Sequence, residues 1–138
     1  MVASVNLWAI LVSAIASMVI GGIWYGPLFG KMFMKAMEME DWTQKERDKM
    51  KKRMVVTCIV QFLASLVMFY FLAGLIVGFN HMTVLGGLET GLLIWIGFIV
   101  PLKLGDSLWG GKMTLFWLAI GNMLITLAVA GMIIGAWP

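Results

Sequence analysis

The sequence predicts an all-α integral membrane protein, a bundle of four transmembrane helices with both termini outside and an amphipathic cytoplasmic loop between helices 1 and 2. Three observations predict it. Hydrophobic residues fill 62% of the 138 positions and charged residues 12%, a balance far from that of a water-soluble domain. Four apolar runs approach the roughly 20 residues that cross a bilayer at about 1.5 Å each. Charge is also segregated, because residues 31–53 carry eight of the ten basic and five of the seven acidic side chains. The chain therefore reads as one domain, 1–138, with spans at about 6–29, 54–77, 84–104 and 113–137.

The first span has no charged residue before Lys31. Its start lacks the positive charge of a cleaved signal peptide, so it is expected to stay in the membrane. Trp24 and Tyr25 mark an interface, where amphipathic rings settle. Pro27 then removes a backbone donor and is expected to bend or end the helix. The segment from Gly30 to Met39 mixes Lys31 and Lys35 with Met32, Phe33, Met34 and Met37, a composition suited to a short helix on the membrane surface.

Thr43 followed by Glu46 fits a capping box, and no breaker separates it from the apolar run at Met54. The second helix is expected to project beyond the bilayer. Gly78, Asn80 and His81 form a turn, and Thr83 caps the third span. Pro101 deprives the carbonyl of Gly97 of its usual partner, so a kink or a locally opened helix is expected there. A polar stretch from Lys103 to Lys112 leads into the fourth span, and no internal repeat is evident.

Sidedness follows from the basic residues. Eight lie in the first loop, and Lys103 and Lys112 lie in the third, against none at either terminus or in the second loop. The positive-inside rule then puts both termini outside the cytoplasmic membrane of the cell and makes any homo-oligomer parallel. Topology also explains the net charge of +3 without nucleic acid. The run Lys49, Lys51, Lys52 and Arg53 is a candidate contact for anionic lipid.

Catalytic constellations are mostly absent. A single cysteine, Cys58, leaves no intramolecular disulfide and no cysteine-rich metal site, and with His81 the only histidine there is no metal-binding pair and no serine–histidine pairing within a plausible shared site. An enzyme is not expected, and no cofactor is implied. Glu89 is the one acid inside a span. Such a group faces a bundle interior, a partner or water, or else reaches the headgroups as a structural acid. Ser13 and Tyr70 are at a comparable depth and could donate to it. Gln61 and Asn122 lie deeper, where cross-helix amides serve as helix glue or line a solute path. Thr57, Ser65 and Thr126 can bond back to their own helix. Glycines four apart, Gly22 with Gly26 and Gly30, Gly74 with Gly78, Gly87 with Gly91 and Gly131 with Gly135, suit close helix packing.

The block Trp24-Tyr25-Gly26-Pro27-Leu28-Phe29-Gly30-Lys31, preceded by Asn6-Leu7-Trp8, resembles a bacterial and archaeal membrane-protein family catalogued as domain of unknown function number seventeen sixty-one. Gly97-Phe98, Pro101, Leu108-Trp109-Gly110-Gly111-Lys112 and Asn122 are similar to its later pattern. Gly111-Lys112 departs from it where an arginine and a proline are more usual. The resemblance implies four helices and supplies no activity. Two functions are compatible with these residues: a homo-oligomeric transporter or channel for a small solute or ion, with Glu89, Gln61, Asn122 and Tyr70 along the path, or a structural or accessory protein that binds partners or lipid.

The charge bias makes a direct prediction. Reporter fusions after Met39 should read as cytoplasmic, and fusions after Asn80 and Pro138 as external; an external signal after Met39 would invert the topology.

Overall fold

The computed structural model describes residues 5–37 and 42–137. Six α-helices follow one another: α1 (Leu7–Ile23), α2 (Gly30–Ala36), α3 (Gln44–Gly78), α4 (Val84–Ile94), α5 (Val100–Gly110) and α6 (Met113–Ala136). Short π turns, Trp24–Leu28 and Trp95–Ile99, join α1 toward α2 and α4 to α5. Four continuous stretches are long and apolar enough to cross a membrane: Leu7–Leu28, Gln44–Gly78, Val84–Gly110 and Met113–Ala136.

Local chemistry sets the helix starts. The Asn6 carboxamide oxygen accepts from the N–H groups of Trp8 and Ala9 at 2.9 and 3.3 Å, satisfying donors that have no partner in the first turn. Thr43 Oγ1 accepts from Glu46 N at 3.3 Å, and Thr83 Oγ1 from Gly86 N at 2.8 Å. With 35 residues, α3 is about 52 Å long and extends well past a hydrocarbon layer of about 30 Å. α5 runs on to Gly110, beyond the expected span end near Leu104, and stops at Gly111 with φ of 74°, a left-handed cap that glycine adopts without strain. Hydropathy bounds the part of a helix in lipid, and Lys103, Asp106 and Ser107 simply continue this one outside it.

Both prolines accompany π turns, and the first span ends just after Pro27, at Leu28. Phe29 N–H donates to the Trp24 carbonyl, five residues back, at 2.9 Å. Moving from four-residue to five-residue spacing leaves one N–H of the turn without an acceptor. Pro27, which has no N–H, sits inside this turn, and the helix ends one residue later at Leu28, with Phe29 at φ −124° and ψ 16° separating it from α2. The second π turn directly precedes Pro101, which is the locally opened helix expected near Gly97. α2 carries exposed Lys31, Met32, Met34 and Lys35. The expected end of this surface helix at Met39 lies outside the described residues.

α6 is the hub. It touches each of the other five helices, and 44% of its most apolar stretch is buried, against 17–22% for the other three spans. Its closest neighbour is α4. A Cβ added to Gly91 would lie 2.5 Å from the Leu127 carbonyl oxygen. One on Gly87 would collide with the Gly131 carbonyl, one on Gly131 with the Gly87 carbonyl, and one on Gly135 with the Thr83 carbonyl. Gly22 and Gly26 behave otherwise: a Cβ on either meets nothing within 4 Å. The expected close packing thus holds for Gly87, Gly91, Gly131 and Gly135, and Gly22 and Gly26 pack against no helix of the chain.

Two indoles fasten α6 from its flanks. Trp24 Nε1 donates to the Leu118 carbonyl at 2.9 Å, and Trp95 Nε1 to the Ile120 carbonyl at 2.8 Å. Those carbonyls are two residues apart, about 200° around a helix, so the indoles approach from opposite sides. Each uses a second lone pair, leaving the helical bond in place. Each Trp opens a π turn and begins the same short pattern, Trp24-Tyr25-Gly26 and Trp95-Ile96-Gly97. The first and third spans therefore share a local device that two matching positions, Trp and Gly, do not announce in 138 residues.

Gly131→Leu or Gly87→Leu should destabilise the protein by about 1–3 kcal/mol or more, since backbone rather than a flexible side chain blocks the new atoms. Gly22→Leu should leave the thermal midpoint in detergent close to wild type; equal losses at both places would contradict this packing. Trp95→Phe, which keeps the ring and removes the donor, should cost about 0.6 kcal/mol by the same measurement.

Candidate functional site

The contact among α1, α3 and α6 changes character halfway through the membrane. Toward the chain termini it is dry and packed: Ala9, Ile10 and Ala14 meet Phe69, Leu72, Ala73 and Ile76, and Leu127, Ala130 and Ile134 close the third side. From Ser17 on α1, Ser65 on α3 and Thr126 on α6 toward the basic end, the same helices border a cavity of about 670 Å³. The cause is in the side chains. Gly21, Gly22 and Gly26 offer no atoms to fill the space on the α1 side, and α3 moves away, with every residue from 51 to 60 exposed.

Polar groups collect on the wall of this cavity. Gln61, Asn122, Thr126, Tyr25 and Lys103 all line it, and Ser17 and Ser65 form its inner end with their hydroxyl oxygens 3.5 Å apart. Ser17 Oγ donates to the Ala14 carbonyl at 2.7 Å, and Ser65 Oγ to the Gln61 carbonyl at 2.9 Å, which is the bond to its own helix expected of Ser65. Thr126 departs from that expectation. Its side chain is 4% exposed, and its Oγ1 has no partner, nor has the buried Oδ1 of Asn122. The two amides, Gln61 and Asn122, both line this cavity and make no hydrogen bond to each other. A buried polar atom left unpaired costs about 1–3 kcal/mol, and Ser13 Oγ in the packed core is in the same position.

Glu89 lies elsewhere. It is exposed, in a separate shallow groove with Leu92, Leu93, Trp95 and Ile96. The hydroxyls considered as its donors are not beside it. Ser13 is 1% exposed with its Oγ unpartnered inside the dry core, and Tyr70 packs edge-on against Phe71 with ring centroids 5.7 Å apart. Rotational position on the helix separates them, since equal depth does not bring two side chains onto facing surfaces. His81 is also less free than a turn residue in water: its Nδ1 lies 3.3 Å from Thr90 Oγ1, which itself donates to the Gly86 carbonyl at 2.9 Å.

Sequence reading missed Tyr25, Cys58, Lys103 and Thr126 as members of one site. A usable signal existed on α3, where Met54, Cys58, Gln61, Ser65 and Met68 recur at steps of four and three and so share one helix face. Among the described residues, no group of three or more His, Cys, Asp or Glu side chains is placed to hold a metal ion.

Around the first π turn, the Trp24 and Phe29 rings lie 4.6 Å apart and the Tyr25 and Phe33 rings 5.0 Å apart. The Trp-Tyr-x-Pro-x-Phe-Gly block, Trp24 to Gly30, thus shapes the turn beside the cavity and supplies Tyr25 to its lining. No curated protein and no solved structure matches the chain. A family model described as "Protein of unknown function (DUF1761)" matches residues 8–135, and the chain belongs to that family.

Proposed function

We propose that this multi-pass membrane protein moves a small solute or ion, working as a parallel homo-oligomer, and that the cavity lined by Gln61, Asn122 and Thr126 is where the solute binds. The observation that carries this reading is the cavity itself, about 670 Å³ between α1, α3 and α6, with Gln61, Asn122, Thr126, Tyr25 and Lys103 among its lining residues. That volume is in the range of small-molecule sites, which pair apolar walls with a few placed polar groups. With the basic loop in the cytoplasm, as the charge bias supports, the cavity opens on the cytoplasmic half and the dry core closes the outer half.

A second reading has its own observation. Glu89 is an exposed carboxylate within a span, in a groove on the surface that faces outward from the bundle. Such a group favours a partner helix that offers it a donor, as an accessory membrane protein would need. In the transport reading, the same groove is a candidate contact between subunits.

Cys58 lines the cavity and is the protein's only cysteine, so it reports on water directly. In liposomes, a membrane-impermeant maleimide should label Cys58 from the cytoplasmic side, and Asn122→Leu with Gly22→Leu should reduce that labelling at least fivefold while the protein remains folded. Flux across a panel of small solutes and ions should fall in step. Wild-type protein that resists labelling and carries no flux would leave the accessory role as the better reading.

A further inference from the structure

We propose that the cavity takes a membrane amphiphile with one acyl chain and an anionic headgroup, which enters sideways from the bilayer past α3. The proposal rests on the solute site proposed above and names the class of its ligand. Shape is the first observation. The lining runs along α3 from Met54 to Met68 and along α1 from Ser17 to Gly26. On α3 that is about 21 Å of helix, so the cavity is a slot parallel to the helices, too long for a compact ion and suited to a chain.

Polarity changes along the slot. Lys103 and Tyr25 line its basic end, and Lys103 is the one charged residue of the lining. Among the described residues its ammonium has no ion pair and no hydrogen bond. The inner end is less polar than its residue names suggest. Ser17 and Ser65 already donate to carbonyls of their own helices, and Thr126 Oγ1 has under 1 Å² of accessible surface. Met18, Met68 and Met123 line that end, and their flexible thioethers mould to an irregular apolar partner. The slot thus offers a cation at one end and an adaptable apolar wall at the other.

Access favours the same ligand. Every residue of α3 from 51 to 60 is exposed, Val55, Val56, Ile59 and Val60 among them. Along this stretch α3 packs closely against no other helix, and the gaps beside its apolar part open onto the acyl chains of the bilayer. A hydrated ion gains nothing from that route, because it would shed water against apolar walls. An amphiphile already lies in the bilayer with its headgroup at the surface. Sliding past α3, it keeps its chain among apolar groups and brings its anionic head to Lys103, as a lysine near the surface attracts anionic lipid.

Cys58, exposed and part of the lining, reports occupancy. The test uses the full chain in phosphatidylcholine nanodiscs and an uncharged, membrane-impermeant maleimide. Lysophosphatidylglycerol should slow Cys58 labelling at least fivefold at a content where lysophosphatidylcholine changes it less than twofold, and free glycerol phosphate should leave it unchanged. Lys103→Gln should erase the difference between the two lysolipids and keep the labelling rate without lysolipid. Lys35→Gln, exposed on α2, should behave as wild type. Lysophosphatidylglycerol with a diazirine at its chain end should crosslink around Met18, Met68 or Met123, and Gly22→Leu should cut that yield at least fivefold with the thermal midpoint close to wild type. Equal protection by both lysolipids in wild type, protection by glycerol phosphate alone, or crosslinks confined to Val55 and Ile59, which do not line the slot, would overturn the proposal. Those outcomes indicate a groove for chains only, a free-anion site and ordinary surrounding lipid. If no lysolipid protects Cys58 while another solute is carried, the amphiphile assignment falls and the transport reading stands. Wild type that resists the maleimide without lysolipid and carries no flux fails the solute reading itself, and the crosslink map still decides whether an amphiphile binds.

Discussion

The close approach of α4 and α6 is the constraint on which the rest of this bundle depends. In lipid, helices gain little from the hydrophobic effect on meeting one another, and packing contacts decide association. Gly87, Gly91, Gly131 and Gly135 let the two backbones touch through their carbonyls. That contact fixes α6 in the middle, and from there Leu118 and Ile120 present carbonyls to Trp24 and Trp95 on opposite flanks. α3 is held less firmly. It joins α1 and α6 along its terminal half and diverges along its basic half, and this divergence creates the cavity.

Much of the architecture was legible in the residues. Four apolar runs, the Asn6, Thr43 and Thr83 caps and the glycine pairs of the third and fourth spans correspond to physical features that sequence carries directly. The glycine signal was ambiguous for a definable reason. Spacing of four residues aligns small side chains on one face, but nothing in α1 alone says whether a neighbour comes to that face. Gly131 meets Gly87 there; Gly22 and Gly26 line open space. The prolines carry a similar ambiguity, because a missing N–H can end a helix, as just after Pro27, or follow a π turn within a continuing span, as at Pro101.

Less of the site was legible. Gln61 and Asn122 were identified from their depth, and both line the cavity. Glu89 drew attention because a charge in hydrocarbon is expensive, but depth says nothing of azimuth, and it lies on a different surface. Thr126 looked unremarkable because a threonine in a helix usually bonds to its own backbone. Its unpaired oxygen is a property of packing among three helices. Lys103 and Tyr25 likewise join the site only when the two π turns set the directions of their segments.

The division of the bundle into a dry half and a cavity half has an electrical consequence. A cavity filled by water lies near the potential of the solution it opens to, so the membrane voltage falls mainly across the insulating remainder. Here that remainder is the layer of Phe69, Leu72, Ile76, Leu127 and Ile134, of which the α3 part, eight residues from Phe69 to Ile76, spans only about 12 Å of helix. An ion crossing this layer would do nearly all of its electrical work there, about 2.3 kcal/mol per elementary charge for each 100 mV. The field would be concentrated on the few side chains that must part for anything to pass.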